Sequence, residues 1–149
     1  MNKTEIKAAI KEIKISFSLF KNCMVSDALK QAGYPYKLIY GLQLTQLKEI
    51  SKQFTKDFEL ANTLWEDSDI RESRLLSCHL FPLEKVGLKE GKRLIESLQT
   101  REEAEILVFC VLRHLPFSLQ LAKSISAGGK YPFAQYCAEL IEKSGVEAS

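Results

Sequence analysis

Apolar residues near the start of the chain recur every three or four positions. Ile6, Ala9 with Ile10, Ile13, Phe17 and Phe20 form one stripe among polar neighbours, which predicts an amphipathic first helix. A second, shorter helix is predicted from about Ser26 or Asp27, whose side chains accept from free amides, to Gly33, where a left-handed conformation is cheap. Tyr34-Pro35-Tyr36 then reads as a turn or extended entry, because a residue before proline avoids the helical region. The next helix runs from about Thr45 to Phe54 with Leu47, Ile50 and Phe54 on one face. Asp57 caps a further one carrying Leu60, Ala61, Leu64 and Trp65.

Two later helix starts carry cap signatures. Thr100-Arg101-Glu102-Glu103 has the form of a capping box, and Asp69-Ile70-Arg71-Glu72 reads as its acidic variant. The first opens a helix through Ile106, Leu107, Cys110, Val111 and Leu115 that ends at Pro116; the second opens the helix containing Arg74. Pro82, Gly87 and Gly91 punctuate the connection to a helix from about Lys89 to Leu98. After Pro116 follow a helix to about Ser126, a turn at Ala127-Gly128-Gly129, and a last helix from Pro132 to about Lys143 ended by Gly145. With no window of strand alternation bounded by turn chemistry, the expected fold class is all-α.

Three stretches align without gaps, spanning residues 60–82, 94–116 and 121–143. Each pairs a short helix with a longer one across a polar break. Leu64, Leu98 and Ile125 fall in one column; Leu75, Phe109 and Tyr136 share another, beside Leu76, Cys110 and Cys137. Recurring helix pairs of this kind stack to build a continuous core, so residues 1–149 are expected to form a single helical-repeat domain, a right-handed superhelical solenoid of HEAT-like repeats with a concave face. Arg74, Val108 and Gln135 occupy one column, which is charged, then apolar, then neutral polar.

Composition narrows the function classes. At 149 residues, 46% hydrophobic and 27% charged, the chain suits one soluble domain, and a formal charge of +2 gives no strong field for polyanions, so nucleic-acid binding would need a local basic surface. Lys7, Lys11, Glu12 and Lys14 interrupt any signal-peptide-like run, and no stretch is long and apolar enough to span a bilayer; a cytoplasmic protein with no membrane partner is expected. Cys23, Cys78, Cys110 and Cys137 are widely spaced and only His79 and His114 accompany them, so buried reduced thiols are expected and no metal site. No cofactor is implied.

Two stretches carry a family resemblance. YPYKLIYGLQLTQLKEISK and FELANTLWEDSDIRESRLLS are similar to patterns of the AlkD-like family of HEAT-repeat DNA alkylation repair glycosylases. Leu60, Ala61, Leu64, Trp65, Ser68, Glu72, Arg74 and Leu75 fit the second pattern, while Arg71 stands where the family usually has histidine. The resemblance implies hydrolysis of the glycosidic bond of a cationic alkylated base in duplex DNA. Its "W-D-x-x-D" segment, however, falls on Ala104, Glu105 and Val108, with valine at the acid that stabilises the departing sugar. An arginine-bearing "W-x-R-R-x-A" helix of the family corresponds to Phe133-Ala134-Gln135-Tyr136-Cys137-Ala138, which has no arginine.

In the acidic patch of Glu102, Glu103 and Glu105, capping accounts for Glu103 and the helix dipole for Glu102, which leaves Glu105 as the candidate catalytic group. Trp65, Glu72 and Arg74 are expected to be architectural. Lys52, Arg71, Lys92, Arg93 and Lys130, near helix ends or turns, are the candidate DNA contacts, with Lys48, Lys56, Lys89 and Lys123 also placed to meet phosphate. Two functions stay open: a divergent AlkD-like protein that binds duplex DNA without efficient base excision, and a non-enzymatic HEAT-type scaffold holding a protein partner on its concave face, where Tyr131, Phe133 and Tyr136 would supply an apolar groove.

Overall fold

The computed structural model describes residues 1–128 and 131–144, which are all-helical, with no strand among them. The chain divides into two compact units, Met1–Pro82 and Leu83–Ser149.

In the first unit, α1 (Lys3–Leu19) buries Ala9, Ile13 and Phe17, as the stripe predicts, and Asn2 and Glu5 close a capping box at its start. The helix stops before Phe20, which is 47% exposed. Helix α2 (Cys23–Gln31) begins earlier than expected because Asn22, not Ser26, is its cap, accepting from the Val25 amide. Ser26 is instead buried and donates to the Ile39 carbonyl at 2.6 Å, tying α2 to the segment that follows it. Gly33 takes φ +92° after α2, in line with its expected role as terminator. Helices α3 (Leu44–Ser51), α4 (Phe58–Glu66) and α5 (Arg71–Ser77) complete the unit, α4 packing on α1 and α5, and α3 on α5. Asp57 caps α4 through the Leu60 amide.

The expected acidic capping box at Asp69 does not form. The cap position of α5 belongs to Ile70, whose side chain has nothing to offer an amide. The chain before α5 is held differently: Leu38 and Ile70 form an isolated parallel bridge, the Leu38 amide donating to Asp69 O and the Arg71 amide to Leu38 O. That bridge satisfies a donor a side-chain cap would otherwise serve, and it releases Glu72 for another partner.

In the second unit, α6 (Leu88–Glu96), α7 (Arg101–Cys110), α8 (Ser118–Gly128) and α9 (Ala134–Lys143) pack with α8 against α9, α7 against α9 and α6 against α8. Thr100 caps α7 through the Glu103 amide, while the buried Glu103 carboxylate accepts from the Gln99 amide, one residue earlier than a standard box would place it. Helix α7 ends at Cys110, short of the predicted Leu115, and a 3₁₀ turn over Leu112–His114 carries the chain to Pro116. The predicted terminator Gly145 lies outside the described residues.

The repeat columns hold in part. Leu64 and Leu98 are buried and Ile125 half-buried, yet Phe109, expected beside Leu75 in the core, is 59% exposed. Helical periodicity explains why so large a side chain is left outside: Phe109 lies one turn after the exposed Glu105, on the face of α7 away from the buried Ala104, Leu107 and Val108.

Among the thiols, Cys78 and Cys137 are buried as expected, Cys110 is half-buried, and Cys23, on the first turn of α2, is exposed. Burial pushes the Cys137 thiol up to about 12. A maleimide titration of the native protein should therefore label Cys23 within minutes and leave Cys137 unmodified until urea unfolds its unit. Modification of Cys137 at the same rate as Cys23 would contradict the packing of α9.

Candidate functional site

The motif that carries the family resemblance folds into a buried charged joint. Arg71, Glu72 and Arg74 are all at most 4% exposed. Glu72 turns toward the loop before α3, where Oε1 accepts from the Tyr40 amide at 2.9 Å and Oε2 from the Gly41 amide at 3.0 Å. Gly41, at φ +87°, aims two successive amides to one side and makes the concavity that receives the carboxylate. Arg71 reaches the same loop: Nη1 donates to Leu42 O at 3.1 Å and to Glu72 Oε2 at 2.7 Å. Sequence neighbours on a helix ordinarily diverge; these two converge because both bend toward one segment of backbone. Arg74 lies over the Trp65 ring, 4.2 Å from its centroid, and Trp65 is buried beneath it. The charged chemistry of this motif thereby serves architecture, the role expected of Trp65, Glu72 and Arg74, although Glu72 holds the Tyr40–Gly41 backbone and not the start of α5. Arg71, a candidate DNA contact, has its guanidinium inside the protein.

The other candidates fall in different places. Lys52 is exposed at the end of α3 and pairs with Glu49 at 2.9 Å, a surface contact that a phosphate can displace at little cost. Lys48 and Lys56 are exposed on the same part of the unit, and their charges reach His79, which follows α5. Burial first, then the fields of Lys48 and Lys56, hold the half-buried His79 below the ordinary imidazole value. Two lysine charges thus lie close enough to His79 to act on its titration, with Lys52 between them in the sequence. The involvement of His79 was not legible in the sequence, because it depends on the turn after α5 folding back toward α3.

In the second unit, Lys92 and Arg93 are half-buried on α6. Lys92 lines a cavity of about 230 Å³ with Ile95, Glu96, Tyr131 and Ala134, so its charge shares that wall with an acid. Lys130 lies outside the described residues.

Glu105 is exposed on α7 and accepts from the Tyr136 hydroxyl of α9, whose ring is covered by Arg101 at 4.5 Å. Glu105 lines a cavity of about 290 Å³ with Val108, Phe109, Arg113, Leu140 and Lys143. Val108, in the column that the resemblance aligns with an aspartate, is 3% exposed and apolar, so that position carries no charge, and the Glu105 carboxylate in the same cavity is already engaged by a phenol. A general acid or an electrostatic stabiliser needs a carboxylate aimed at the reacting atoms; here the acid is aimed at α9. The repeat alignment sets Glu105 and Tyr136 on the second helices of adjacent repeats but does not pair them; the contact of α7 with α9 does.

Among the described residues no group of three or more His, Cys, Asp or Glu side chains is placed to hold a metal ion, and no helix is long and apolar enough to cross a membrane. Comparison of the chain with protein-family models, curated proteins and solved structures finds no match.

Proposed function

We propose that this chain is a divergent AlkD-like protein built of HEAT-type helical repeats, which holds duplex DNA by its phosphate backbone and does not excise bases. The observation that carries the reading is that the exposed Lys48 and Lys56 lie where their charges act on His79, with the exposed Lys52 between them in the chain. These lysines differ from the buried Arg71, Glu72 and Arg74, so the unit separates charges that hold the fold from charges that meet solvent. Phosphate contacts of this type position a protein on DNA without reading sequence. The packing of α6 on α8 and of α7 on α9 supports the HEAT-type arrangement, since layers of equivalent helices touch in stacked repeats. Absence of excision follows from the apolar Val108 and from the engagement of Glu105 by Tyr136.

The test uses an unmodified duplex and the resolved resonances of His79. A bound phosphate opposes the lysine field, so the His79 pKa is expected to rise on adding duplex at low salt. Three neutralised phosphates would give a slope of roughly −3 in log affinity against log salt, and Lys48→Glu with Lys56→Glu should abolish both effects. An unchanged His79 titration alongside salt-insensitive affinity would remove DNA from the reading. Release of 7-methylguanine or 3-methyladenine from alkylated duplex, lost in Glu105→Gln, would make the protein a glycosylase instead.

The alternative, a protein-interaction scaffold, is favoured by Phe109. It is 59% exposed, stacked by Arg113 at 4.1 Å and set against Val108 and Leu140 in an open cavity.

His79 also has a consequence for stability. Its folded pKa lies below the unfolded value, so the unfolded chain takes up the proton first as pH falls. The stability present above pH 6.5, the ordinary histidine value, is lost as pH drops through the folded pKa and is constant below it. In urea titrations across that window, His79→Gln should flatten the profile; a slope identical to that of the parent protein would exclude His79 as its source.

A further inference from the structure

Helix α1 carries a second apolar row that the core does not use. Its core row is Ala9, Ile13 and Phe17. On the opposite side, Ile15 is 52% and Leu19 76% exposed, four residues apart and therefore neighbours on the helix surface. Phe20 and Met24, which follow in the chain, are exposed at 47% and 84%. Single exposed apolar side chains are ordinary; Ile15 and Leu19 share one face of α1 and line one groove with Tyr40, an exposed apolar surface of the kind that marks an interaction site.

The patch is shaped and charged. A groove of about 400 Å³ is lined by Lys11, Lys14, Ile15, Ser18, Leu19 and Tyr40, with no carboxylate among them. Lys7, Lys11 and Lys14 follow one flank of α1 at helical spacing. Lys14 is steadied by Asp67 at 3.4 Å, while Lys7 and Lys11 are exposed. Glu12, one helical step round from Lys11, lies toward the other flank. The groove thus offers an apolar floor with cations along one edge.

We propose that this groove docks an amphipathic helix of another protein, one bearing apolar residues four apart for Ile15, Leu19 and Tyr40 and carboxylates for Lys7 and Lys11. Charge complementarity selects this occupant. A duplex nucleic acid has no use for the apolar floor, and an anionic bilayer would be repelled along the Glu12 flank. A helix places its acids on one edge only and fills a groove with its side-chain ridge. This surface is separate from Lys48, Lys56 and His79, and the proposal does not depend on DNA binding.

The experiment uses the full chain and a fluorescein-labelled synthetic peptide of about five helical turns, with leucines four apart, glutamates on one flank and alanine elsewhere. Anisotropy should show saturable binding, with amide shifts in the ¹⁵N-labelled protein confined to α1 and the backbone near Tyr40. Leu19→Asp and Lys11→Glu should each weaken binding roughly tenfold or more while keeping the parent's thermal transition, since both side chains are exposed. A peptide with lysine in place of glutamate should bind Lys11→Glu better than it binds the parent. No saturable binding, or binding indifferent to Leu19→Asp, overturns the proposal. So does adsorption to phosphatidylglycerol vesicles without peptide binding, which would make the patch a membrane contact. Concentration-dependent dimerisation abolished by Leu19→Asp without peptide binding would overturn it in favour of a second copy of the chain.

Discussion

Glu72→Ala is expected to destabilise the first unit by about 3–5 kcal/mol, because it leaves the buried Arg71 guanidinium without its counter-charge and strips acceptors from two amides. The loss exceeds that of an ordinary surface ion pair by several-fold, since Glu72 is 0% and Arg71 4% exposed and water cannot replace the missing oxygens. Glu72→Gln should fall between parent and alanine, retaining one carbonyl acceptor but no charge. A double variant replacing Arg71 and Glu72 by methionine should recover much of the loss, as removing both charges of a buried pair costs far less than removing one. Urea unfolding followed by the fluorescence of Trp65, the chain's single tryptophan, reports on this unit directly. A midpoint for Glu72→Ala within experimental error of the parent would mean that the loop from Tyr40 to Leu42 is held by something other than this carboxylate.

The second large effect lies at the other side of the same joint. Gly41→Ala is expected to cost about 2–5 kcal/mol, combining the penalty of a left-handed residue with that of overpacking. The backbone there has φ +87°, and a Cβ built on it would stand 2.3 Å from the Asn22 carbonyl oxygen and 3.0 Å from the Ser26 amide nitrogen. Those atoms cannot step aside cheaply, because the Ser26 amide donates to Asn22 O in the first turn of α2. Gly33→Ala is the matched control: its φ is +92° but nothing lies within 4 Å of the added carbon, so only the conformational term of about 1–2 kcal/mol should appear. Equal losses at the two glycines in the same urea assay would show that close approach to α2 plays no part.

The two predictions meet in one arrangement. Gly41 lets the loop approach α2 and turns its amide, together with that of Tyr40, toward Glu72; Glu72 then holds Arg71, which closes on Leu42. A loop carrying this many directed hydrogen bonds positions α3 relative to α5, and with it Lys48 and Lys56 relative to His79. Weakening the joint should therefore weaken the proposed phosphate surface without touching any of its lysines.

Local chemistry decided most of what the sequence determined by itself. The stripe of Ala9, Ile13 and Phe17, the Asp57 and Thr100 caps and the stop at Gly33 depend on residues within a turn of one another, and each lies where periodicity and capping place it. The all-helical class follows from the same short-range rules. The architectural roles of Trp65, Glu72 and Arg74 were also legible, since large charged side chains amid leucines must find partners when buried. The tertiary structure alone decided the identity of those partners. Glu72 abandons its predicted cap for amides 31 and 32 residues away, because the Leu38 bridge already serves the start of α5. Arg71 moves from a candidate DNA contact to an internal strut for the same reason. Glu105 is taken by Tyr136, and Phe109 stands on the face of α7 away from Leu107 and Val108. For Glu72 and Arg71, long-range hydrogen bonds outweighed a local preference worth about 1 kcal/mol, and interactions between distant segments leave no periodic trace in the chain.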